Sequence, residues 1–283
     1  MATYTYAYLL GSDGSTVRGE FGVNYYLADG TYAISDTLNP TSTSSTSIVG
    51  RLSGYSGDGF VIDTFVGPVF YTNTPYATSD TVGPFASEGT FTTCFLAGTH
   101  IATPEGERRV EDLAVGELVL TAAGETRPVR WIGRQSVMRM FADPLANYPI
   151  RVAAGALSDN APVRDLFVSP DHALLIDGLL VQAGALVNGT SIARVERPEE
   201  RFTYYHIELE DHALVLAEGV PAETFVDNVT RRRFDNYAEF EELHGAGASV
   251  PELDLPRVKS ARQLPAALRA RLEARAGRGA AVA

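Results

Sequence analysis

The chain has 283 residues, of which 45% are hydrophobic and 20% charged, and its formal net charge at pH 7 is −12. That is enough chain for two domains with separate cores, and the negative balance argues against nucleic acid or an anionic lipid surface as partner. The longest apolar stretch, 173–187, is broken by Asp177, Gln182 and two glycines, so no membrane span is expected. Met1-Ala2-Thr3-Tyr4-Thr5-Tyr6 lacks the basic start and apolar centre of a signal peptide, which leads us to expect a cytoplasmic protein or one exported by a signal-less route.

Residues 1–93 hold no His and no Cys, and only Arg18 and Arg51 are basic. Tyr, Phe, Val, Thr, Ser and Gly dominate. Alternating runs at Thr3–Tyr8, Tyr25–Tyr26 with Thr31–Ile34, and Gly59–Phe70 are punctuated by Asp13-Gly14, Asp29-Gly30 and Asp58-Gly59. Asp-Gly pairs between alternating runs signal hairpins, so this part reads as a small all-β module, with a loop at Asn39–Ser47.

Residues 94–230 also read mainly as strands. Val115–Thr121 and Pro128–Gly133 form an expected hairpin around Gly124. Further strands are expected at Tyr148–Val152, Asp165–Val168, Ala173–Ile176, Leu179–Val181, Phe202–Leu209 and Ala213–Leu216, with a short helix at Gln182–Val187 stopped by Asn188-Gly189. A helix is expected over Thr230–Leu243, ended by Gly245-Ala246-Gly247, and another over Leu264–Ala276. The segment from Pro251 on carries seven basic and three acidic residues and reads as a solvated helical tail, packed on the domain or loosely appended. The expected class is mainly β, in three parts: a β passenger (1–93), a second β domain (94–230) and a helical, Arg-rich tail (231–283).

Cys94, the only cysteine, stands on the border of the first two parts. It has no disulfide partner in the chain, so it is either a small buried hydrophobe or a reagent. It opens Cys94-Phe95-x-x-Gly98-Thr99-x-Ile101-x-Thr103-x-x-Gly106, which resembles the first block of Hint domains, the self-processing modules of hedgehog proteins and inteins. Val110–Val119 is similar to the second strand region of that family. Ser169-Pro170-Asp171-His172 resembles its Thr-x-x-His block, and Tyr205–Leu209 running through His212 to Gly219 resembles its late strand block. The resemblance covers 94–228 and is nearest the bacterial hedgehog/intein-like branch. It implies a β fold of horseshoe-like, pseudo-twofold form.

The resemblance also implies a single-turnover chemistry that needs no cofactor. The Cys94 thiol attacks the carbonyl of Thr93, and the amide becomes a thioester. His172 matches the family's proton donor to the departing nitrogen. Ser169 stands where the family usually has Thr, holding the scissile amide. His206 occupies the place of a common intein aspartate. Alternation puts Tyr204, His206 and Glu208 on one strand face, where His206 would take the thiol proton, oriented by Glu208 or a backbone carbonyl, or would be purely structural. His212 reads as packing. A zinc site from His206 and His212 lacks a third good ligand, so no metal is expected. His100 and His244 read as surface residues.

Splicing inteins end in His-Asn, and the Asn cyclises. Glu223 and Thr224 stand at those places here, and Asn228 lies beyond them without a preceding His. Cleavage without ligation is therefore expected, with the thioester passing to water, a thiol, an amine or an alcohol. Thr93 is β-branched and crowds its own carbonyl, which favours a positioned nucleophile over bulk water. Two other readings are a Hint fold that binds or supports without cleaving, and a cysteine hydrolase acting on an outside substrate. Nothing in the sequence fixes an oligomeric state.

Overall fold

The computed structural model describes residues 2–10, 17–27, 37–38, 41–42, 50–56, 59–64, 67–73, 75, 77–78, 93–225, 231, 234–245 and 250–279. The chain divides into two units, one of residues 1–90, 136–143 and 199–201, the other of residues 91–135, 144–198 and 202–283.

In the first unit one sheet of seven strands runs in the order Thr37–Leu38, Gly50–Ser56, Gly59–Thr64, Gly67–Thr72, Ala2–Leu10, Val17–Leu27, Thr41–Ser42. Its pairings are antiparallel. Alternation sets which residues share a face. Tyr8 and Leu10 cluster with Val17, Val61 and Phe70. Phe60 and Tyr71 are register partners, and their rings stack with centroids 5.0 Å apart, a cross-strand pair of the kind that stabilises sheets. The expected loop at Asn39–Ser47 is corrected in part: Thr41–Ser42 is a short strand opposite Tyr25 and Tyr26. Asp13-Gly14, Asp29-Gly30, Thr31–Ile34 and Asp58 lie outside the described residues.

The second unit is built on two sheets and a separate hairpin. One sheet has the order Gly106–Arg109, His100–Thr103, Leu214–Ala217, Val220–Glu223, Ala173–Ile176, Leu179–Gln182, Arg257–Val258. The other has the order Trp131–Met138, Arg201–Glu208, Phe95–Leu96, Leu166–Val168, Ile150–Val152, Ile192–Arg194. Their apolar residues, among them Phe95, Ile101, Val168, Leu174, Val181, Ile207 and Val215, form one contiguous core. The protein is mainly β, as its alternating runs imply.

Several elements differ from the sequence pattern for local reasons. The hairpin joins Leu118–Leu120 to Thr126–Pro128, with Gly124 at a φ of 79°. Trp131 leaves it to open a strand of the six-stranded sheet, and its indole is buried edge-on against Phe234 and Phe240. The helix expected from Thr230 begins only at Tyr237. Asn236 bonds instead to the outermost strand of that sheet, accepting from Arg134 N–H (2.8 Å) and donating to Ile132 O (2.9 Å). Those contacts satisfy an edge that would otherwise expose backbone polar groups. The predicted helix at 182–187 is a 3-10 turn, Ala183–Leu186. The C-terminal helix, Ala266–Gly279, buries Leu268 and Leu272 in the core of the second unit along with Leu264, which precedes it. Leu268 and Leu272 are spaced by four, so they share one helical face.

Candidate functional site

Phe95–Leu96 is short, but its neighbours fix it. Phe95 lies opposite Val168 on one side and Tyr205 on the other, and Leu96 lies opposite Tyr204. Register alone then carries Cys94 to Ser169, which follows Val168, and to His206, which follows Tyr205. The Cys94 N–H donates to Ser169 Oγ at 2.9 Å, and the Ser169 N–H donates to Cys94 O at 2.9 Å. The Thr93–Cys94 bond is buried, with Thr93 5% and Cys94 0% exposed.

A tight turn aims His172 at this junction. The His172 N–H donates to Ser169 O (3.1 Å), and the Gly184 N–H donates to Pro170 O (2.7 Å). A Cβ on Gly184 would sit 3.1 Å from that oxygen, so glycine allows the 3-10 turn to approach the loop this closely. The Ala183 N–H donates to His172 O (2.9 Å), and the Ala173 N–H donates to Glu223 Oε1 (3.0 Å).

The His172 ring is fully buried and tilted against Phe95, with centroids 4.3 Å apart. Neither ring nitrogen has a hydrogen-bond partner among the described residues. Burial lowers its pKa to about 3, opposed in part by the backbone carbonyls of Cys94 and Glu223 that face the ring. It is therefore a neutral imidazole at physiological pH. An unpaired buried polar group is costly, and native proteins keep few of them.

His206 is also buried, its ring 6.4 Å from that of His172. Burial holds its pKa well below the usual value, reinforced by His172 and His212 and opposed by the Thr93 backbone. Phe225 meets the ring edge-on at 5.3 Å, and Phe234 stacks on it at 5.9 Å. Gly133 makes room for Phe234, since a Cβ there would fall 2.5 Å from its ring. Glu208 shares the buried strand face but does not orient His206, contrary to the first of the two expectations. Its carboxylate accepts from Arg231 Nε (2.8 Å) and Nη2 (3.2 Å) and ion-pairs with Arg130 (3.3 Å). A buried carboxylate takes a guanidinium fork in preference to a neutral ring.

Tyr204, on the strand face that alternation shares between it, His206 and Glu208, is buried beside the candidate site. Its hydroxyl donates to Asn147 O at 2.8 Å. Burial raises its pKa, with a further contribution from the Cys94 thiol beside it.

The remaining histidines are engaged elsewhere. His212 is buried, and its Nδ1 accepts from Leu253 N–H at 2.9 Å. Burial and Arg257 lower its pKa to about 4. His100 is not a free surface residue: its Nδ1 lies 3.0 Å from the buried Glu218 Oε1. His244 is not exposed either, because its Nε2 lies 3.1 Å from Arg130 O. Among the described residues no three His, Cys, Asp or Glu side chains converge as metal ligands would, and no helix is long and apolar enough to cross a membrane.

Glu223 and Thr224 are both buried. Thr224 closes a local ring, its Oγ1 accepting from Ala213 N–H and its own N–H donating to Ala213 O, both at 2.9 Å. Glu223 Oε2 accepts from Arg257 Nη2 at 2.8 Å. Neither residue is an amide able to cyclise.

Residues 93–229 match the family model of the Hint domain. No curated protein matches the chain. Among solved structures, the gp41-1 intein aligns at 17% identity over 47% of this chain and 98% of its own, with a TM-score of 0.35. The MchDnaB-1 intein aligns at 18% over 45% and 98%, with a TM-score of 0.33. A bacterial intein-like domain from Clostridium thermocellum aligns at 17% over 48% and 100%, with a TM-score of 0.35.

Proposed function

Since residues 93–229 belong to the Hint-domain family, we propose that this protein cuts its own Thr93–Cys94 bond through an N–S acyl shift and does not splice. One observation carries the reading. The amide hydrogen of the candidate scissile bond is held by Ser169 Oγ at 2.9 Å, while a buried imidazole whose nitrogens have no hydrogen-bond partner among the described residues faces the same residue.

In this mechanism neutral His172 has no proton to give at the outset. It first takes the proton of the Cys94 thiol. The sulfur attacks the Thr93 carbonyl carbon, and the oxygen takes up the electron pair. His206, whose ring the Thr93 carbonyl faces, donates its N–H to that oxyanion. When the C–N bond breaks, His172 returns the proton to the leaving nitrogen, now the amine of Cys94, and the carbonyl re-forms as a thioester. The same proton is moved twice, so neutral His172 suffices. Ser169 fixes the nitrogen during the transfer. With Thr224 where a cyclising Asn would be, the reaction stops at cleavage, with 1–93 as passenger and 94–230 as the processing domain. Water, a thiol, an amine or an alcohol then resolves the thioester.

Complete burial of Cys94 favours a second reading, a Hint domain that keeps its fold without cleaving. Purified full chain and its Cys94→Ala variant, incubated with dithiothreitol and analysed by intact mass, separate the two. Fragments ending at Thr93 and beginning at Cys94, in wild type only, are expected. A folded wild type that stays whole removes the self-cleavage reading.

A further inference from the structure

The region matched to the family ends at residue 229, but the packing around His172 does not. Glu223 is fully buried, and one of its oxygens holds the Ala173 N–H, immediately after His172. Its own backbone carbonyl faces the His172 ring. A carboxylate so placed needs a cation, because burying an uncompensated charge is far costlier than leaving it in water. The cation within hydrogen-bonding reach, among the described residues, is Arg257, through Nη2 at 2.8 Å. Neighbouring His212 is kept neutral at physiological pH by burial.

Arg257 is itself fastened by its own segment. Arg257–Val258 adds a parallel strand beside Leu179–Gln182, the Leu180 N–H donates to Pro256 O at 2.9 Å, and Glu252 ion-pairs with the Arg257 guanidinium. Leu253 N–H caps His212. The segment 250–258 is thus joined to the sheet that continues from His172 through Ala173–Ile176.

We propose that Arg257 is a positioning residue for the self-cleavage centre, acting through Glu223 on the His172 turn, so that the centre is complete only when the segment 250–258 is docked. The inference rests on the self-cleavage reading and assigns it a control element outside the matched domain. Without Arg257, Glu223 must either protonate or turn toward water. Turning toward water releases the Ala173 N–H, and His172 loses its aim at Cys94. Small misplacements of a reacting group cost rate steeply.

The test compares full-length wild type, Arg257→Ala and the double variant Glu223→Gln/Arg257→Ala. Gln keeps the carbonyl oxygen that accepts from Ala173 without the charge that demands a cation. Cleavage in dithiothreitol should slow about tenfold to a hundredfold in the single variant, and should return to within about threefold of wild type in the double. In a Cys94→Ala background, the imidazole resonances of His172 should shift with Arg257→Ala and move back in the double variant. Because neutralising Glu223 would also relieve a general destabilisation, urea unfolding of both variants accompanies the rates, and the loss counts as positioning only where Arg257→Ala is folded under the assay conditions. Arg257→Ala that cleaves like wild type, or a double variant no better than the single, overturns the proposal. Should Arg257→Ala not fold, the double variant decides alone: restored cleavage supports the inference, and a folded but slow protein overturns it. A wild type that never cleaves removes the self-cleavage reading instead, and the resonances still report whether Arg257 positions His172.

Discussion

Around Cys94, both ring nitrogens of His172 and Nδ1 of His206 are buried with no hydrogen-bond partner among the described residues. Around Glu223, an equally buried region, the carboxylate oxygens accept from Ala173 and Arg257, and Thr224 is tied to Ala213 in both directions. The first region holds polar groups at a cost in stability and keeps them free to move a proton. In the second the Glu223 and Thr224 side chains are bonded and held still, although the neighbouring His212 Nε2 has no hydrogen-bond partner among the described residues. Stored cost belongs where chemistry is done, and satisfied polarity belongs where geometry must be kept.

The contrast can be broken most severely at the junction. Cys94→Ala should abolish cleavage altogether, read as persistence of the intact chain. His172→Ala should slow thioester formation by about a hundredfold to ten-thousandfold, the usual range for a positioned acid–base group. His206→Ala removes one donor to the oxyanion and should cost about a hundredfold to a thousandfold, less than His172→Ala when single-turnover rates are compared. The reverse order would exchange the roles of the two histidines.

The contrast also predicts an acid-sensitive fold. His172 and His212 have native pKa values of about 3 and about 4, below the ordinary 6.5, and His206 is displaced in the same direction. The unfolded chain therefore binds more protons than the native one below pH 6.5. Stability is fully present above that pH and falls as pH drops toward the native values, by about 1.4 kcal/mol per pH unit for each histidine held neutral. Glu223, whose burial raises its pKa, works in the opposite sense and softens the fall. Urea unfolding of Cys94→Ala at pH 7, 6 and 5 should show the decline, and His172→Gln should make it shallower.

A smaller effect sharpens the role of the aromatic wall. Gly133→Ala would push Phe234 off the strand, loosening the ring that stacks on His206. We expect a loss of about 1–3 kcal/mol in urea unfolding, as for other overpacked cores.

Cys94, Ser169, His172 and His206 were legible in the sequence because each sits in a short block whose pattern is local, and strand pairing then brings the blocks together. Tyr204 was half legible: alternation gave its face, but only the fold brings it near enough for the Cys94 thiol to act on its hydroxyl electrostatically. The partners of the two buried glutamates were not legible because they are remote. Glu208 meets Arg231, and Glu223 meets Arg257, from segments that read as polar and helical. A strand of two residues such as Arg257–Val258 has no periodicity to detect. The late start of the helix at Tyr237 and the departure of Trp131 from its hairpin have the same origin, since both answer to contacts between segments about a hundred residues apart.

The measurement closest to the chemistry is hydroxylamine trapping of the full chain at neutral pH, followed by tandem mass spectrometry of the amino-terminal fragment. A hydroxamate on the carboxyl carbon of Thr93, present in wild type and missing in Cys94→Ala, is the expected result, because only an activated acyl group yields it. A folded wild-type chain that remains unbroken, or a fragment whose end lies elsewhere, would contradict attack by Cys94 on its own upstream bond.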